Sequence, residues 1–308
     1  PKKLLTRTID HFRKEQKQTI MFACNLFGVD RQVYYRKLKK RKIRQSIAST
    51  VVSMVLAIRK EQPRLGVRKL YFLLKKDLKD LKIGRDKLIN ILRANHLLII
   101  PKRAYHITTN SHHRFRKHEN KILDLEIQRP EQVWVSDITY IGKRDNPFYL
   151  SLITDAYSKK IVGFNVADNM NTESTLVALK NAVKQRTYKE SLLIHHSDRG
   201  LQYCANDYQN LLLKKKIKCS MTQNSDPYEN AVAERINGIL KQEYFIDKLN
   251  QTLTVTKALV KNAIQIYNEK RPHYSNYMLT PNQMHQQNKI KMRTYKRKNT
   301  CKNVFANV

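Results

Sequence analysis

Residues 194–203 read Ile194-His195-His196-Ser197-Asp198-Arg199-Gly200-Leu201-Gln202-Tyr203. Residues 230–241 read Asn230-Ala231-Val232-Ala233-Glu234-Arg235-Ile236-Asn237-Gly238-Ile239-Leu240-Lys241. In the first stretch a short apolar run, Leu192-Leu193-Ile194, leads to an acid, and Arg199-Gly200 supplies a turn. That pattern predicts a strand delivering Asp198 to the edge of a sheet. In the second, Val232, Ile236 and Ile239 follow the spacing of a buried helical stripe. At about 100° per residue, Glu234 and Lys241 both point away from that stripe, two turns apart. A carboxylate and a cation therefore share the open face of a packed helix.

A third acid lies upstream in Val133-Trp134-Val135-Ser136-Asp137-Ile138-Thr139-Tyr140. The β-branched and aromatic residues predict a strand, with Val133, Val135, Asp137 and Thr139 on one side. An acid inside such a run is costly without a partner or an ion. Asp137, Asp198 and Glu234 together would offer hard oxygens to Mg²⁺ or Mn²⁺.

Asp198 and Glu234 are separated by 35 residues, and their flanks read His-Ser-Asp-x-Gly-x-Gln-Tyr and Asn-Ala-x-Ala-Glu-Arg-x-Asn-Gly-x-x-Lys. In these features the chain resembles bacterial insertion-sequence transposases of the IS-three family, relatives of retroviral integrases. The resemblance implies an α/β ribonuclease-H-like catalytic domain, a mixed five-stranded sheet flanked by helices, with an Asp-Asp-Glu triad. It implies two Mg²⁺ ions, replaceable by Mn²⁺, with Asp137 bridging both, Asp198 holding one and Glu234 the other. It also implies strand cleavage and joining at the terminal inverted repeats of a mobile element, in a dimer or larger assembly on double-stranded DNA. Asp155 is expected to support the site without ligating metal. Lys241 is expected at a terminal phosphate or base. Arg199, where the family often has Gln, joins Gln202, Tyr203, Asn230, Arg235, Asn237 and Arg271 as expected DNA contacts. Tyr203 and Asn237 read equally well as structural.

Charge agrees with a polyanionic partner. The 308 residues carry a formal net charge of +35, which points first to nucleic acid. Residues 1–130 hold 33 Lys and Arg against 10 Asp and Glu, residues 131–288 hold 20 against 15, and residues 289–308 hold 7 against none. The acid-bearing region is thus nearly balanced between two basic ones. Cys24, Cys204, Cys219 and Cys301 show no C-x-x-C spacing, which speaks against a zinc ribbon or redox motif. His112, His113 and His118 have no cysteine pair to complete the zinc module of retroviral integrases, and read as linker residues. No signal peptide or membrane-length apolar run is present, and a bacterial cytoplasmic, nucleoid-associated protein is expected. Residue 1 is Pro, and the family usually joins this frame to a short upstream one by frameshifting.

Five regions follow. Residues 1–45 are expected to form a helix-turn-helix, an all-α DNA-binding module: Gly28 permits the turn, Asp30 caps, and Arg31, Tyr34 and Arg36 lie on a recognition helix. One of Tyr34 and Tyr35 is expected in the core. Residues 46–100 form a second such module, with Leu70, Leu73, Leu74 and Leu78 inward and Arg64, Arg68 and Lys69 toward DNA. Residues 101–130 are a basic linker. Residues 131–285 are the catalytic core, with elements in the order βββαβαβα and a further C-terminal helix. Residues 286–308 are a basic tail.

Overall fold

A computed structural model describes residues 5–100, 118–122, 125–142, 147–223 and 230–292. The expected tail beyond 292, Cys301, His112 and His113 lie outside the described residues. The chain divides into two compact units, Pro1–Lys60 with Gly66–Ile99, and Glu61–Leu65 with Ile100–Val308.

The first unit is helical: α1 (Leu5–Glu15), α2 (Ile20–Leu26), α3 (Arg31–Glu61), α4 (Val67–Leu73), α5 (Lys75–Asp80) and α6 (Arg85–Ala94). Thr19 caps α2 by accepting from Phe22 N at 3.2 Å. Gly28 takes the turn to α3 at φ +62°, and Asp30 Oδ1 accepts from Gln32 N at 2.6 Å. Ile9, Ala23, Cys24 and Tyr34 form the core beneath this turn. α3 runs unbroken for 31 residues, so the boundary expected at residue 45 falls inside one helix. The segment Lys39–Arg44 contains no Gly or Pro to stop it. Leu70, Leu74 and Leu78 are buried, whereas Leu73 is exposed, because the helix breaks at Leu74 and restarts as α5.

The second unit is built on β1 (Val133–Ile141), β2 (Phe148–Asp155), β3 (Ile161–Ala167), β4 (Leu193–Ser197) and β5 (Ile217–Met221). They form one mixed sheet in the order β3-β2-β1-β4-β5. The first three strands are antiparallel, and β4 and β5 run parallel to β1. The helices are α7 (Thr172–Lys184), α8 (Leu201–Cys204), α9 (Asn206–Lys214), α10 (Ala231–Tyr244), α11 (Leu253–Lys270) and α12 (Pro281–His285). Strand alternation sorts the core. Trp134, Ile153 and Leu193 face α7–α9, while Leu150 and Leu152 pack with Ile236, Ile239 and Val260 of α10 and α11. Gly163 lets α7 lie directly on β3: a Cβ there would meet Ala178 O and stand 2.7 Å from Ala182 Cβ. This is the ribonuclease-H-like architecture implied by the sequence.

Candidate active site

Parallel pairing brings two acids together. Ser136 of β1 lies opposite Ser197 of β4, so Asp137, within β1, and Asp198, just past β4, lie side by side where the parallel pairing stops. Ligand sites of α/β sheets collect at the carboxyl ends of parallel strands. The turn after β4 is tied down by Gly200 N donating to Asp198 Oδ1 at 3.1 Å and by Arg199 Nε donating to Thr222 O at 2.5 Å. A Cβ on Gly200 would lie 3.1 Å from Asp198 Oδ1, so a larger residue would crowd that carboxylate.

α10 closes over the same strand end. Asn230 Nδ2 donates to Ser136 O at 3.1 Å, and Asn237 Nδ2 donates to Asp137 Oδ2 at 2.7 Å. Ile138 N holds the other oxygen at 2.9 Å. Ala233, Ile236, Ile239 and Leu240 are buried beneath the helix. Glu234 is exposed on its first turn, and Lys241 is half-buried two turns on, which is the register expected. Burial, and next the Asp198 carboxylate, push the Asp137 pKa up to about 7, against the hydrogen bonds from Asn237 and Ile138. Burial raises Glu234 as well. Burial lowers the Lys241 ammonium, and the charges of Asp137 and Asp247 oppose that fall. Among the described residues, no three acidic, His or Cys side chains are gathered closely enough to hold a metal ion. The charge of Asp198 acts on Asp137, and that of Glu234 acts on it more weakly.

The remaining expected contacts divide by burial. Arg31, Arg36, Arg68 and Arg235 are exposed. Tyr34 is 2% exposed and hydrogen-bonds Asp10, and burial with that bond pushes its pKa up to about 12; Tyr35 is the exposed member of the pair. Lys69 is half-buried. Arg64 donates to Ile100 O at 2.5 Å and stacks over Phe245. Gln202 Nε2 ties α8 to Met170 O at 2.8 Å. Tyr203, Asn230, Asn237 and Arg271 are all buried. Arg271 makes a two-pronged pair with Glu243, 2.7 Å on each arm, so its guanidinium belongs to the fold. Tyr34, Asn230 and Arg271 are thus enclosed within the fold, where DNA contacts were expected of them, and Tyr203 and Asn237 take the structural one of their two readings.

A second acidic cluster was not foreseen. Asp155 is fully buried and accepts from Glu131 N at 2.7 Å, Ser158 N at 2.8 Å and Ser158 Oγ at 2.6 Å. Glu131 accepts from Thr187 N at 2.9 Å and Tyr188 N at 2.8 Å, and faces Arg186 at 3.8 Å. His285 of α12 lies between them, 3.4 Å from Glu131 Oε1 and 3.6 Å from Asp155 Oδ2. Asp155 therefore supports the fold. Its link to His285 spans 130 residues, and no local pattern marks it.

The fold and the paired acids define an integrase-type core, and comparison with known proteins agrees. Residues 127–227 and 215–281 each match an integrase core domain. The chain is 31% identical, over 81% of its length and 92% of the other's, to the insertion element IS600 uncharacterized 31 kDa protein of Shigella sonnei. It is also 31% identical to transposase InsF of insertion sequence IS3fB from Escherichia coli K12, over 54% of this chain and 57% of that one. Among solved structures, the HTLV-2 integrase catalytic core domain with magnesium is similar over 51% of this chain and 97% of that one, at 20% identity and TM-score 0.41. The chain belongs to the bacterial insertion-sequence transposases, enzymes of the Asp-Asp-Glu polynucleotidyl-transferase type. Among the described residues, no helix is long and apolar enough to cross a membrane.

Proposed function

We propose that this chain binds the terminal inverted repeats of its own mobile element and catalyses Mg²⁺-dependent strand cleavage and strand transfer. The observation that carries this reading is the meeting of Asp137 and Asp198 at one sheet end, with Lys241 in the field of Asp137. Two carboxylates pressed together in a half-buried site form a hard-oxygen donor set that a divalent cation fits. Asp137 and Asp198 would hold it, with Glu234 joining from α10; Mn²⁺ would substitute for Mg²⁺. The bound ions would supply charge cancellation on the attacking and leaving oxygens of an in-line displacement.

The chain's own residues prepare that chemistry. Asn237 and Ile138 N fix both oxygens of Asp137. Lys241 would seat the phosphate of a DNA end beside Glu234. The exposed Arg31, Arg36 and Arg68 of the helical unit would grip the duplex backbone. Hydrolysis breaks the P–O3′ bond and leaves a 3′-hydroxyl and a 5′-phosphate. Attack by that hydroxyl on target DNA exchanges one phosphoester for another, so no nucleotide cofactor is consumed. Holding two element ends at once requires at least two copies of the chain.

One observation favours a second reading, a DNA-binding regulator with a vestigial site: among the described residues no three acidic, His or Cys side chains are gathered closely enough to hold a metal ion. A strand-transfer assay with element-end oligonucleotides and Mg²⁺ separates the two. Joined products support the proposal. Binding without cleavage supports the regulator, and hydrolysis without joining indicates a simple nuclease.

A further inference from the structure

Tyr203 sits where it touches the framework of both aspartates. It is 1% exposed, on α8. Its backbone N donates to Gly200 O at 3.0 Å, and its ring edge is 3.6 Å from where a Cβ on Gly200 would lie. Gly200 in turn donates to Asp198. The ring thus wedges beneath the Asp198 turn. Its hydroxyl oxygen is fully buried and, among the described residues, has no hydrogen-bond partner at ordinary geometry. The polar groups acting on it are Tyr208, Asp198, Asp137 and Ser136. Ser136 directly precedes Asp137; its hydroxyl donates to Leu152 O at 3.1 Å, and its carbonyl accepts from Asn230. The Ser136 oxygen keeps two lone pairs, and the hydroxyls of both Tyr203 and Tyr208 lie where it acts on them. Beside it, the Tyr208 hydroxyl and His195 Nε2 share a hydrogen bond at 2.9 Å, the imidazole being one that burial lowers to a pKa of about 3 and so keeps neutral.

A buried hydroxyl without a partner is costly, and a phenylalanine would fill the same space without that cost. We propose that Tyr203 is a positioning residue that spans Asp198 and Ser136 and sets the separation of the two aspartates, tuning their affinity for a divalent cation. The inference rests on the metal-dependent reading above. The strut acts through its hydroxyl: when the aspartates close on an ion, the hydroxyl donates to Ser136 Oγ and fixes the β1 end against the β4 turn. Partners one step removed from metal ligands commonly alter affinity by about tenfold or more when lost.

The test is Mn²⁺ titration of the full chain, followed by electron paramagnetic resonance, for wild type, Tyr203→Phe, Ser136→Ala and the double variant. Metal-free melting temperatures are measured in parallel. The expected result is Mn²⁺ binding weakened about tenfold in each single variant and no further in the double. Metal-free melting should be unchanged or raised in Tyr203→Phe. In strand transfer, the Mg²⁺ concentration for half activity should rise while the rate at saturating Mg²⁺ is kept. Unchanged Mn²⁺ affinity in Tyr203→Phe overturns the strut, as does additive weakening in the double variant. Asp198→Asn is the control: if it binds Mn²⁺ as wild type does, the metal-dependent reading itself fails.

Discussion

The sheet carries two gatherings of carboxylates, and they are treated in opposite ways. At one, Asp155 and Glu131 are sealed from solvent among backbone N–H groups, Ser158, Arg186 and His285. Glu131 is lowered there: burial alone would raise it, but His285 and the amides of Thr187 and Tyr188 outweigh burial. At the other, Asp137 has one side-chain amide and one backbone N–H, and burial beside Asp198 drives it up to about 7. No Lys, Arg or His among the described residues makes an ion pair with it. An acid supplied with internal counter-charge holds the fold together. An acid pressed against another acid and left short of positive charge is arranged for something that arrives from outside.

The largest expected effect breaks the second gathering. Asp137→Asn should reduce cleavage and joining together by about three orders of magnitude, roughly 4 kcal/mol of transition-state stabilisation. Its melting temperature should equal or exceed that of wild type, because a carboxylate disfavoured by its surroundings is removed. Labelled-end cleavage, joining and melting curves check this. A marked loss of stability would mean that Asp137, like Asp155, is part of the scaffold.

The converse substitution acts on the first gathering. Asp155→Asn removes the charge opposite His285 and turns one of the two oxygens that Glu131 N, Ser158 and His285 face into an N–H donor, a kind of change that costs about 3–5 kcal/mol. Urea unfolding should show that loss, while activity per folded molecule stays near wild type. Lost activity in fully folded protein would give Asp155 a direct part in the chemistry.

How much of this contrast was legible beforehand depends on the range of the interactions. The strands of Asp137 and Asp198 announce themselves through alternation, β-branched residues and short apolar runs. The face of Glu234 and Lys241 follows from helical spacing alone. What escaped was set by partners far along the chain. Arg271 is a surface-like residue after a helix until Glu243 encloses it. Tyr34 and Tyr35 are indistinguishable until Asp10 selects one. His285 lies 154 residues from Glu131. The continuity of α3 was hidden for another reason: residues 1–45 and 46–100 each read as a module of their own, although nothing near residue 45 stops a helix.

A smaller effect sharpens the role of Lys241. Its side chain is half-buried, and its ammonium lies in the field of Asp137 and Asp247. Lys241→Ala should lower joining about tenfold, near 1.4 kcal/mol, with melting unchanged and Mn²⁺ binding retained. Lys241→Arg keeps the charge but changes donor geometry, so partial activity is expected. Equal losses of joining and melting would place Lys241 in the fold.

The smallest effect is a pH dependence confined to the satisfied cluster. Burial pushes the His285 imidazolium down, as does the charge of Lys160, but hydrogen bonds to Asp155 and Glu131 outweigh both, and the folded pKa is raised. Its stabilising contribution is therefore complete below the unfolded imidazole value, about 6.5, and is lost as pH rises through the folded value. Glu131 works in the other sense: its lowered pKa gives stability above the unfolded carboxyl value that disappears as pH falls through the folded one. Between those limits both charges are held together. Urea unfolding of wild type and His285→Gln from pH 5 to 9 should show the largest difference at the acid end, narrowing as pH rises. The histidine substitution removes the proton-binding group and leaves the aspartate pair untouched, so activity measured at one pH should not follow this trend. A stability difference constant across the range would mean that His285 is neutral in the folded protein. The first gathering would then be held by hydrogen bonds alone, and the two ends of the sheet would differ in solvation rather than in counter-charge.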